Sequence, residues 1–232
     1  MRMRAKPWAR PELLQSGYFE AEPRGVRGHW AQRFSKQQPL HLELGCGKGY
    51  FAGPLALQNP QWNIVAVDRK DEVLGPARRL ISAAFAAKGR PVDNLLLTAF
   101  DVERITEVFS PEDRVERIYI NFCNPWSVGR DHKHRLTHTR QLQKYKTFLA
   151  PGGEIRFKTD NEDLFRWSKF YLREAGELTI TYETDDLHHS DFTGNIITEH
   201  EKFFSEQGMP IYFLIARFDP AEKKAEPEGA AD

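Results

Sequence analysis

The sequence predicts an α/β fold in which a mostly parallel sheet is covered by helices on both faces. Three observations predict it. Short apolar runs alternate with longer stretches of helical periodicity from residue 39 onward, an order typical of parallel strands joined by helical crossovers. A glycine-rich turn at residues 45–49 directly follows the first run. An acidic residue ends the second run about twenty residues later, as in nucleotide-binding sheets.

The individual elements follow from the position of each apolar run. Strands are predicted at residues 40–44, 62–67, 95–100, 117–122 and 154–158, and two more at 178–183 and 211–218. Helices are predicted at residues 50–58, 71–87, 104–109, 139–149 and 161–175. The last strand alternates in polarity and no helix follows it. We therefore expect a seven-stranded sheet whose last strand is antiparallel.

Sequence character divides the chain into three parts. Residues 1–36 lack a steady period and are predicted to form a basic N-terminal arm that is extended or partly helical. Residues 37–219 carry the alternating pattern without a linker, which predicts one domain. Residues 220–232 are rich in Ala, Glu, Lys and Pro, and this composition predicts a disordered tail.

Composition restricts the class of protein. Hydrophobic residues make up 40% and charged residues 28% of the chain, as in a globular domain. No apolar run approaches the roughly 20 residues of a membrane helix, and the basic N-terminus lacks the apolar core of a secretory signal. Cys46 and Cys123 are too few for a disulfide framework and have no metal-ligand spacing around them. We expect a cytoplasmic monomer or homodimer without a metal or membrane partner.

Positive charge is concentrated in two segments, although the formal net charge is zero. Residues 1–36 contain eight Lys or Arg and three Asp or Glu. Residues 125–146 contain six Lys or Arg and one Asp, together with three histidines. Such segments can form a local phosphate-binding surface. Two solvated basic faces are the alternative interpretation.

Carboxylates accompany three successive strands at the predicted carboxyl edge of the sheet. Glu43 lies two residues before the glycine turn and suits the amino group of a methionine moiety. Asp68 ends the second strand, where it can accept both ribose hydroxyls of an adenosine. Asp101 follows the third strand and can accept from an adenine amino group. Because these strand ends share one crevice, the three residues predict an adenosine-containing cofactor. A tight turn with surface acids is the alternative.

Polar and aromatic residues follow the fourth and fifth strands. Pro125 keeps Asn124 out of the helical region, so Asn124 is expected to lie extended beside the cofactor. Trp126 offers a flat face for stacking a base, with a place in the core as the alternative. Asp160 ends the fifth strand, where it either faces the site or caps the following helix.

Several of these segments resemble the bacterial tRNA (guanine-N(7)-)-methyltransferase family, and the similarity covers almost the whole chain. The resemblance implies a Rossmann-like class I methyltransferase fold, S-adenosyl-L-methionine as cofactor, and methyl transfer to nitrogen 7 of a guanine in the tRNA variable loop. The most specific segments are Asn-Phe-x-x-Pro-Trp at 121–126, Arg-Leu-Thr at 135–137, Pro-Gly-Gly-Glu-Ile at 151–155, Phe-Lys-Thr-Asp-Asn at 157–161, Asp-Leu-His at 186–188 and Gly-Asn-Ile-Ile-Thr-Glu at 194–199.

Together with the glycine turn, the resemblance implies roles for individual residues. The catalytic residues would be Asn124 and Asp160. The residues lining the cofactor would be Glu43, Gly45, Gly47, Gly49, Asp68, Asp101 and Asn124. The residues contacting the guanine or the rest of the tRNA would be Val128, Arg130, His132, Lys133, His134, Arg135, Asp160, Thr198, Glu199, His200 and Glu201.

Four positions depart from the family pattern. Asn124 stands in place of the proposed catalytic aspartate, Val128 and Gly129 replace lysines, and His200 stands where tyrosine is common. Nitrogen 7 carries a free lone pair, so positioning should supply most of the acceleration. Asn124 keeps an acceptor oxygen and loses the charge. A loss of about 1–3 kcal/mol would slow the reaction roughly tenfold to a hundredfold, so we expect retained activity.

Three other functions remain open from the sequence. The first is a catalytically weakened or inactive tRNA-binding paralogue, motivated by the departures at residues 124, 128 and 129. The second is a methyltransferase for another RNA. The third is a nicotinamide oxidoreductase, against which count the G-x-G-x-G spacing and the lack of a residue suited to handling a hydride.

Overall fold

A computed structural model describes residues 5–221 and shows one eight-stranded sheet with the strand order β1-β4-β3-β2-β5-β6-β8-β7. The strands are β1 (Phe19–Glu20), β2 (Leu40–Leu44), β3 (Asn63–Asp68), β4 (Leu95–Ala99), β5 (Val115–Asn121), β6 (Leu149–Thr159), β7 (Leu178–Thr184) and β8 (Tyr212–Phe218). The first six strands pair in parallel, and β8 runs antiparallel between β6 and β7. The α/β class and the antiparallel last strand are thus confirmed.

The strand count is one higher than the predicted seven. The additional strand, β1, has only two residues and pairs with β4 at Phe19↔Leu97 and Glu20↔Thr98. A two-residue strand has no alternation to detect, because its pairing depends on the partner strand and not on its own pattern. Strand β6 also begins five residues earlier than expected, at Leu149.

Within residues 5–221, six α-helices surround the sheet. They are α1 (Ala9–Leu14), α2 (Ala52–Gln58), α3 (Asp71–Ala86), α4 (Thr139–Lys146), α5 (Glu162–Ala175) and α6 (Glu199–Ser205). The helix predicted at 104–109 is instead a 3₁₀ segment, Val102–Glu107. Helix α1 lies in the N-terminal arm, which was predicted to be extended or partly helical, and helix α6 was not predicted. No helix within residues 5–221 has the length and apolarity needed to cross a membrane.

The N-terminal segment packs on the edge of the sheet. Trp30 is fully buried, its ring lies 5.1 Å from that of Phe109, and its Nε1 donates to the carbonyl of Val108 at 2.7 Å. Helix α1 packs against α3, where a Cβ at Gly75 would come within 2.6 Å of the Ala9 side chain. The domain boundary at residue 36 remains a prediction. Most of the predicted tail, residues 222–232, lies outside the described residues.

A second, smaller core holds the segment between β7 and β8 against the sheet. Leu187, Ile211, Phe213 and Ile215 form this core. It packs Leu187 and Ile211, near the two ends of segment 185–211, against Phe213 and Ile215 of β8. Helix α6 therefore begins beside the ends of β5 and β6, with Phe122, just after β5, in the same cluster.

Candidate functional site

The glycine turn after β2 has a backbone that glycine favours. Gly45, Gly47 and Gly49 have φ angles of 76°, 54° and 77°, a left-handed region that costs other residues energy. A Cβ at Gly47 would project into open space, and one at Gly45 would meet only a Leu136 methyl at 3.9 Å. Gly49 has a different surrounding, because its Cβ position lies 3.0 Å from the Ile81 side chain on α3. The first two glycines leave room for a ligand, and the third permits helix packing.

Glu43 on β2 carries an unsatisfied buried oxygen. Its residue is 2% exposed, and its Oε1 accepts from the Asn121 side chain at 3.1 Å. Its Oε2 is buried without a hydrogen-bond partner among the described residues. Burial raises the pKa of Glu43 to about 7, against an ordinary value of 4.5. A cationic group next to this oxygen would satisfy it and favour the ionised carboxylate.

Asp68 and Asp101 lie at the ends of the next two strands. The Oδ2 of Asp68 accepts from the Gly47 amide at 3.0 Å, which ties the glycine turn to β3. Burial raises the pKa of Asp68 above its ordinary value. Asp101 accepts from the Glu103 amide at 3.0 Å and caps the 3₁₀ segment after β4. Both carboxylates keep further lone pairs for a ligand.

Two adjoining cavities collect most of the predicted cofactor residues. The first, about 230 Å³ and called here the Glu43 cavity, is also lined by Gly45, Gly47, Thr198, Glu199 and His200. The second, about 300 Å³ and called the Asp68 cavity, is also lined by Gly45, Asp101, Asn124, Trp126 and His134. Gly45 and Phe122 line both. Neither cavity is lined by Gly49, Val128, Arg130, His132, Lys133, Arg135, Asp160 or Glu201.

The turn after β5 separates these cavities and is strained. Phe122 and Trp126 have φ angles of 51° and 44°, which are uncommon for bulky residues and cost on the order of 1–3 kcal/mol each. The Oδ1 of Asn124 accepts from the Trp126 amide at 3.0 Å. Trp126 is 37% exposed and lies beside the His134 ring, with centroids 5.2 Å apart, so it is not a core tryptophan. Burial raises the pKa of the Cys123 thiol to about 12.

Asp160 follows β6 and does not cap the next helix. Asn161 has that role, because its side chain accepts from the Leu164 amide at 2.7 Å. The Asp160 side chain forms no hydrogen bond to any residue between 5 and 221. Its strand neighbours place it at the same edge as the turn after β5, since the Phe122 amide donates to the carbonyl of Lys158 at 2.8 Å. This half-buried carboxylate is available to a substrate.

The residues at the start of α6 divide into exposed and buried members. Thr198 caps the helix by accepting from the Glu201 amide at 3.1 Å. Glu199 is exposed and forms a salt bridge with Lys48 of the glycine turn at 3.1 Å. His200 is exposed and stacks on Phe122 with ring centroids 6.1 Å apart.

Glu201 was expected to contact the substrate, but its position is different. Its side chain is fully buried, and its Oε2 lies 2.5 Å from the Nζ of Lys158. The side-chain amide of Asn195 donates to the Oε1 of Glu201 at 2.5 Å, and the Nε2 of His188 forms a hydrogen bond with the same oxygen at 2.9 Å. Burial lowers the pKa of Lys158. Glu201 therefore fixes α6 to β6, because leaving Lys158 buried without its partner would be costly.

The basic loop at residues 128–135 also contains one buried member. Arg130, Lys133 and Val128 are exposed. Arg135 was expected to contact RNA, but its side chain has no exposed surface. It donates to the carbonyl of Pro125 at 2.7 Å and pairs with Asp163 at 3.1 Å. Arg135 is buried because these two contacts join the turn after β5 to α5.

Sequence reasoning missed three residues of the site. Phe122 lines both cavities, and its position as the last residue of the strand predicted at 117–122 could have identified it. Lys48 was read only as part of the glycine turn, although it bridges to Glu199 across the Glu43 cavity. Lys158 lies within an apolar strand, and a lysine at a buried strand position is a signal of an ion pair.

Comparisons with known proteins support a common assignment. Residues 37–214 match a family described as putative methyltransferase. A tRNA (guanine-N(7)-)-methyltransferase of Clostridium beijerinckii is 54% identical over 219 residues, covering 94% of this chain and 100% of the relative. One of Clostridium perfringens strain 13 is 50% identical over 218 residues, covering 94% and 99%. The solved structure of the 16S rRNA methyltransferase KamB is similar in fold, with a TM-score of 0.58, 14% identity and coverage of 94% and 96%.

Proposed function

The chain belongs to the tRNA (guanine-N(7)-)-methyltransferase family, and we propose that it transfers the methyl group of S-adenosyl-L-methionine to nitrogen 7 of a guanine in the tRNA variable loop. Identity of 54% over 94% of the chain supports this family assignment. The observation that carries the proposal is the row of Glu43, Asp68 and Asp101 along two adjoining cavities beside the glycine turn. The row leads to Asn124 after the next strand.

The residues present fit S-adenosyl-L-methionine. The unpartnered Oε2 of Glu43 matches the cationic amino group of the methionine part. Asp68 would accept from the ribose hydroxyls and Asp101 from the adenine amino group, since both line the Asp68 cavity. The open space above Gly45 and Gly47 admits the ligand close to the backbone. Gly49 would support this site by letting the glycine turn pack closely against Ile81 of α3.

The cofactor supplies an electrophilic methyl group when bound, and the protein supplies position. Nitrogen 7 of guanine carries a free lone pair, so no residue needs to remove a proton before transfer. Asn124 would place an acceptor oxygen near the positive charge that develops on the guanine. Because that oxygen also accepts from the Trp126 amide, the strained turn holds Asn124 in one orientation.

The guanine would be held between the end of β6 and the start of α6. Asp160 is free to accept from the donor edge of the base. Thr198, Glu199 and His200 line the Glu43 cavity opposite the glycine turn. His200 and Phe122 provide aromatic faces on that side. Glu201 would act as a positioning residue through Lys158 and the cap of α6.

The remaining tRNA would contact the loop after β5. Arg130 and Lys133 supply positive groups there, and His132 and His134 supply imidazole rings. Val128, which is 56% exposed, supplies an apolar contact. Phosphates attract such groups without reading sequence. Arg135 would support the loop from its buried position.

The test is methyl transfer from labelled S-adenosyl-L-methionine to an unmodified tRNA transcript. A second transcript has the variable-loop guanine replaced by adenine. We expect label on the first transcript only. Label on both would indicate another site. Label on neither, with cofactor binding intact, would favour the tRNA-binding paralogue without catalysis, and Asn124→Asp would then be tested for restored turnover.

The role of Asp160 is tested separately. We expect Asp160→Ala to abolish turnover while the affinity for the cofactor stays unchanged. Glu162→Ala is the matched control, because Glu162 is an exposed carboxylate two residues further along. An unchanged rate for Asp160→Ala would contradict the assignment of Asp160.

A further inference from the structure

A third and larger cavity lies on the sheet face beside the Glu43 cavity. It has a volume of about 380 Å³ and is called here the arginine cavity. Residues of β5 and β6 form its floor, the C-terminal half of α2 forms one wall, and residues 192–196 form the other. Phe51 and Asn121 line both this cavity and the Glu43 cavity. None of the roles assigned above uses it.

Two half-buried arginines of the cavity floor, Arg117 and Arg156, share the carboxylate of Glu154. The Nε of Arg117 lies 2.9 Å from the Oε2 of Glu154, and Arg156 approaches the same oxygen through Nε at 2.9 Å and Nη2 at 2.8 Å. The three side chains are 20%, 22% and 27% exposed. Two cations on one anion leave a positive charge, and Lys158 nearby is already paired with Glu201.

Neighbouring groups do not cancel this charge. His41 on β2 has a pKa lowered to about 3 by burial and by the two arginines, so it is neutral at physiological pH. Nη2 of Arg117 and Nη1 of Arg156 form no hydrogen bonds within residues 5–221. The cavity therefore presents two unused guanidinium donors in a partly desolvated place. Such donors suit the oxygens of a phosphate.

Aromatic side chains surround the two guanidinium groups. Arg117 lies over the Trp62 ring at 5.3 Å, and Arg156 lies over the Phe192 ring at 5.8 Å. Tyr119 is also part of the lining. A planar apolar group carried next to a phosphate would contact this lining, as bases do in single-stranded nucleic-acid sites.

We propose that the arginine cavity binds a phosphorylated nucleoside, with the phosphate on Arg117 and Arg156 and the base against the aromatic lining. The nucleoside is either a free nucleotide or a nucleotide of the tRNA near the target guanine. Binding of a tRNA nucleotide rests on the proposed function. Its geometric basis is that Phe51 and Asn121 line both this cavity and the Glu43 cavity.

The test is calorimetric titration of the full chain with guanosine 5′-monophosphate. Saturating S-adenosylhomocysteine is present to occupy the methyl-donor cavities. We expect saturable binding, with guanosine and inorganic phosphate each binding more weakly. The double variant Arg117→Gln/Arg156→Gln should weaken the nucleotide about tenfold or more. Glu154→Gln should strengthen it, because the arginines lose their competing carboxylate.

The opposite effects of these variants separate binding from mere loss of structure. Misfolding would weaken binding in both variants, and unchanged affinity for S-adenosylhomocysteine checks the fold directly. Arg114→Gln/Arg166→Gln is the matched control, because both arginines are exposed and neither lines the cavity. No saturable binding to the wild type, or equal affinity in the double arginine variant, would overturn the proposal.

Methyl-transfer kinetics distinguish the two sources. If the tRNA supplies the nucleotide, the double arginine variant should raise KM for tRNA about tenfold with KM for S-adenosyl-L-methionine unchanged, and guanosine 5′-monophosphate should compete with tRNA. If a free nucleotide is the ligand, KM for tRNA should stay unchanged and competition should be absent. Nucleotide binding with no methyl transfer would contradict the proposed function and leave this site supported.

Discussion

Glu43→Gln should make the protein more stable at neutral pH and remove one component of its pH dependence. Burial raises the pKa of Glu43 to about 7, against 4.5 for the ordinary group. The folded protein thus holds this proton more tightly than the unfolded chain. The resulting stabilisation is fully present below pH 4.5 and is lost as the pH rises through about 7.

The magnitude follows from the two pKa values. Since one pKa unit corresponds to about 1.4 kcal/mol, the shift amounts to about 3 kcal/mol of unfolding free energy. Glutamine has the shape of the protonated glutamate and can still accept from Asn121, so the variant keeps the local packing. We expect the two proteins to be similarly stable near pH 4.5 and to differ by about 3 kcal/mol at pH 8.

Urea unfolding of both proteins between pH 4.5 and 8 measures this difference. Urea is used because guanidinium salts would screen the charges involved. Glu116→Gln is the control, since Glu116 is an exposed carboxylate on β5. A stability difference that stays within about 0.5 kcal/mol over the whole range would refute the reasoning. It would mean that burial of Glu43 does not alter its protonation.

Three further predictions follow from the site. Asn124→Asp should raise the single-turnover rate of methyl transfer about tenfold or more at saturating cofactor, because a carboxylate opposes the developing charge; an unchanged rate would contradict this electrostatic argument. Arg135→Ala should lower the unfolding free energy by about 2–4 kcal/mol in urea titrations. Arg130→Ala, at a side chain 86% exposed, should change it by less than about 0.5 kcal/mol and weaken tRNA binding. Equal destabilisation by both variants would contradict the buried position of Arg135 and the exposed position of Arg130. In native protein at pH 8, iodoacetamide should alkylate Cys46 far more slowly than in unfolded protein, because Cys46 is 6% exposed and burial raises the pKa of its thiol. Mass spectrometry showing equal alkylation rates of Cys46 in native and unfolded protein would refute this.

Much of the fold could be predicted because its signals are local. The five parallel strands from β2 to β6 were each located within a few residues, apart from the early start of β6. The antiparallel β8 was recognised from its own alternation. Elements without a pattern of their own, such as β1 and α6, were missed because their stability comes from partners elsewhere in the fold.

The candidate site was predictable to the extent that strand ends determine it. Glu43, Asp68 and Asp101 were expected at one edge because parallel strands bring their carboxyl ends together. The structure places all three along adjoining cavities. Their roles toward the cofactor remain predictions.

The sequence by itself determined which segments along the chain form most strands and helices, where the glycine turn lies and which acids follow the strands, because these features depend on residues close together in the chain. Only the tertiary structure decided which charged side chains face solvent. Arg135 and Glu201 lie in polar segments that suggest a surface, yet both are buried by partners distant in sequence. Lys158 and Glu201 are 43 residues apart. The free energy of a charge depends on its burial and its partner, and both are set by how the chain packs.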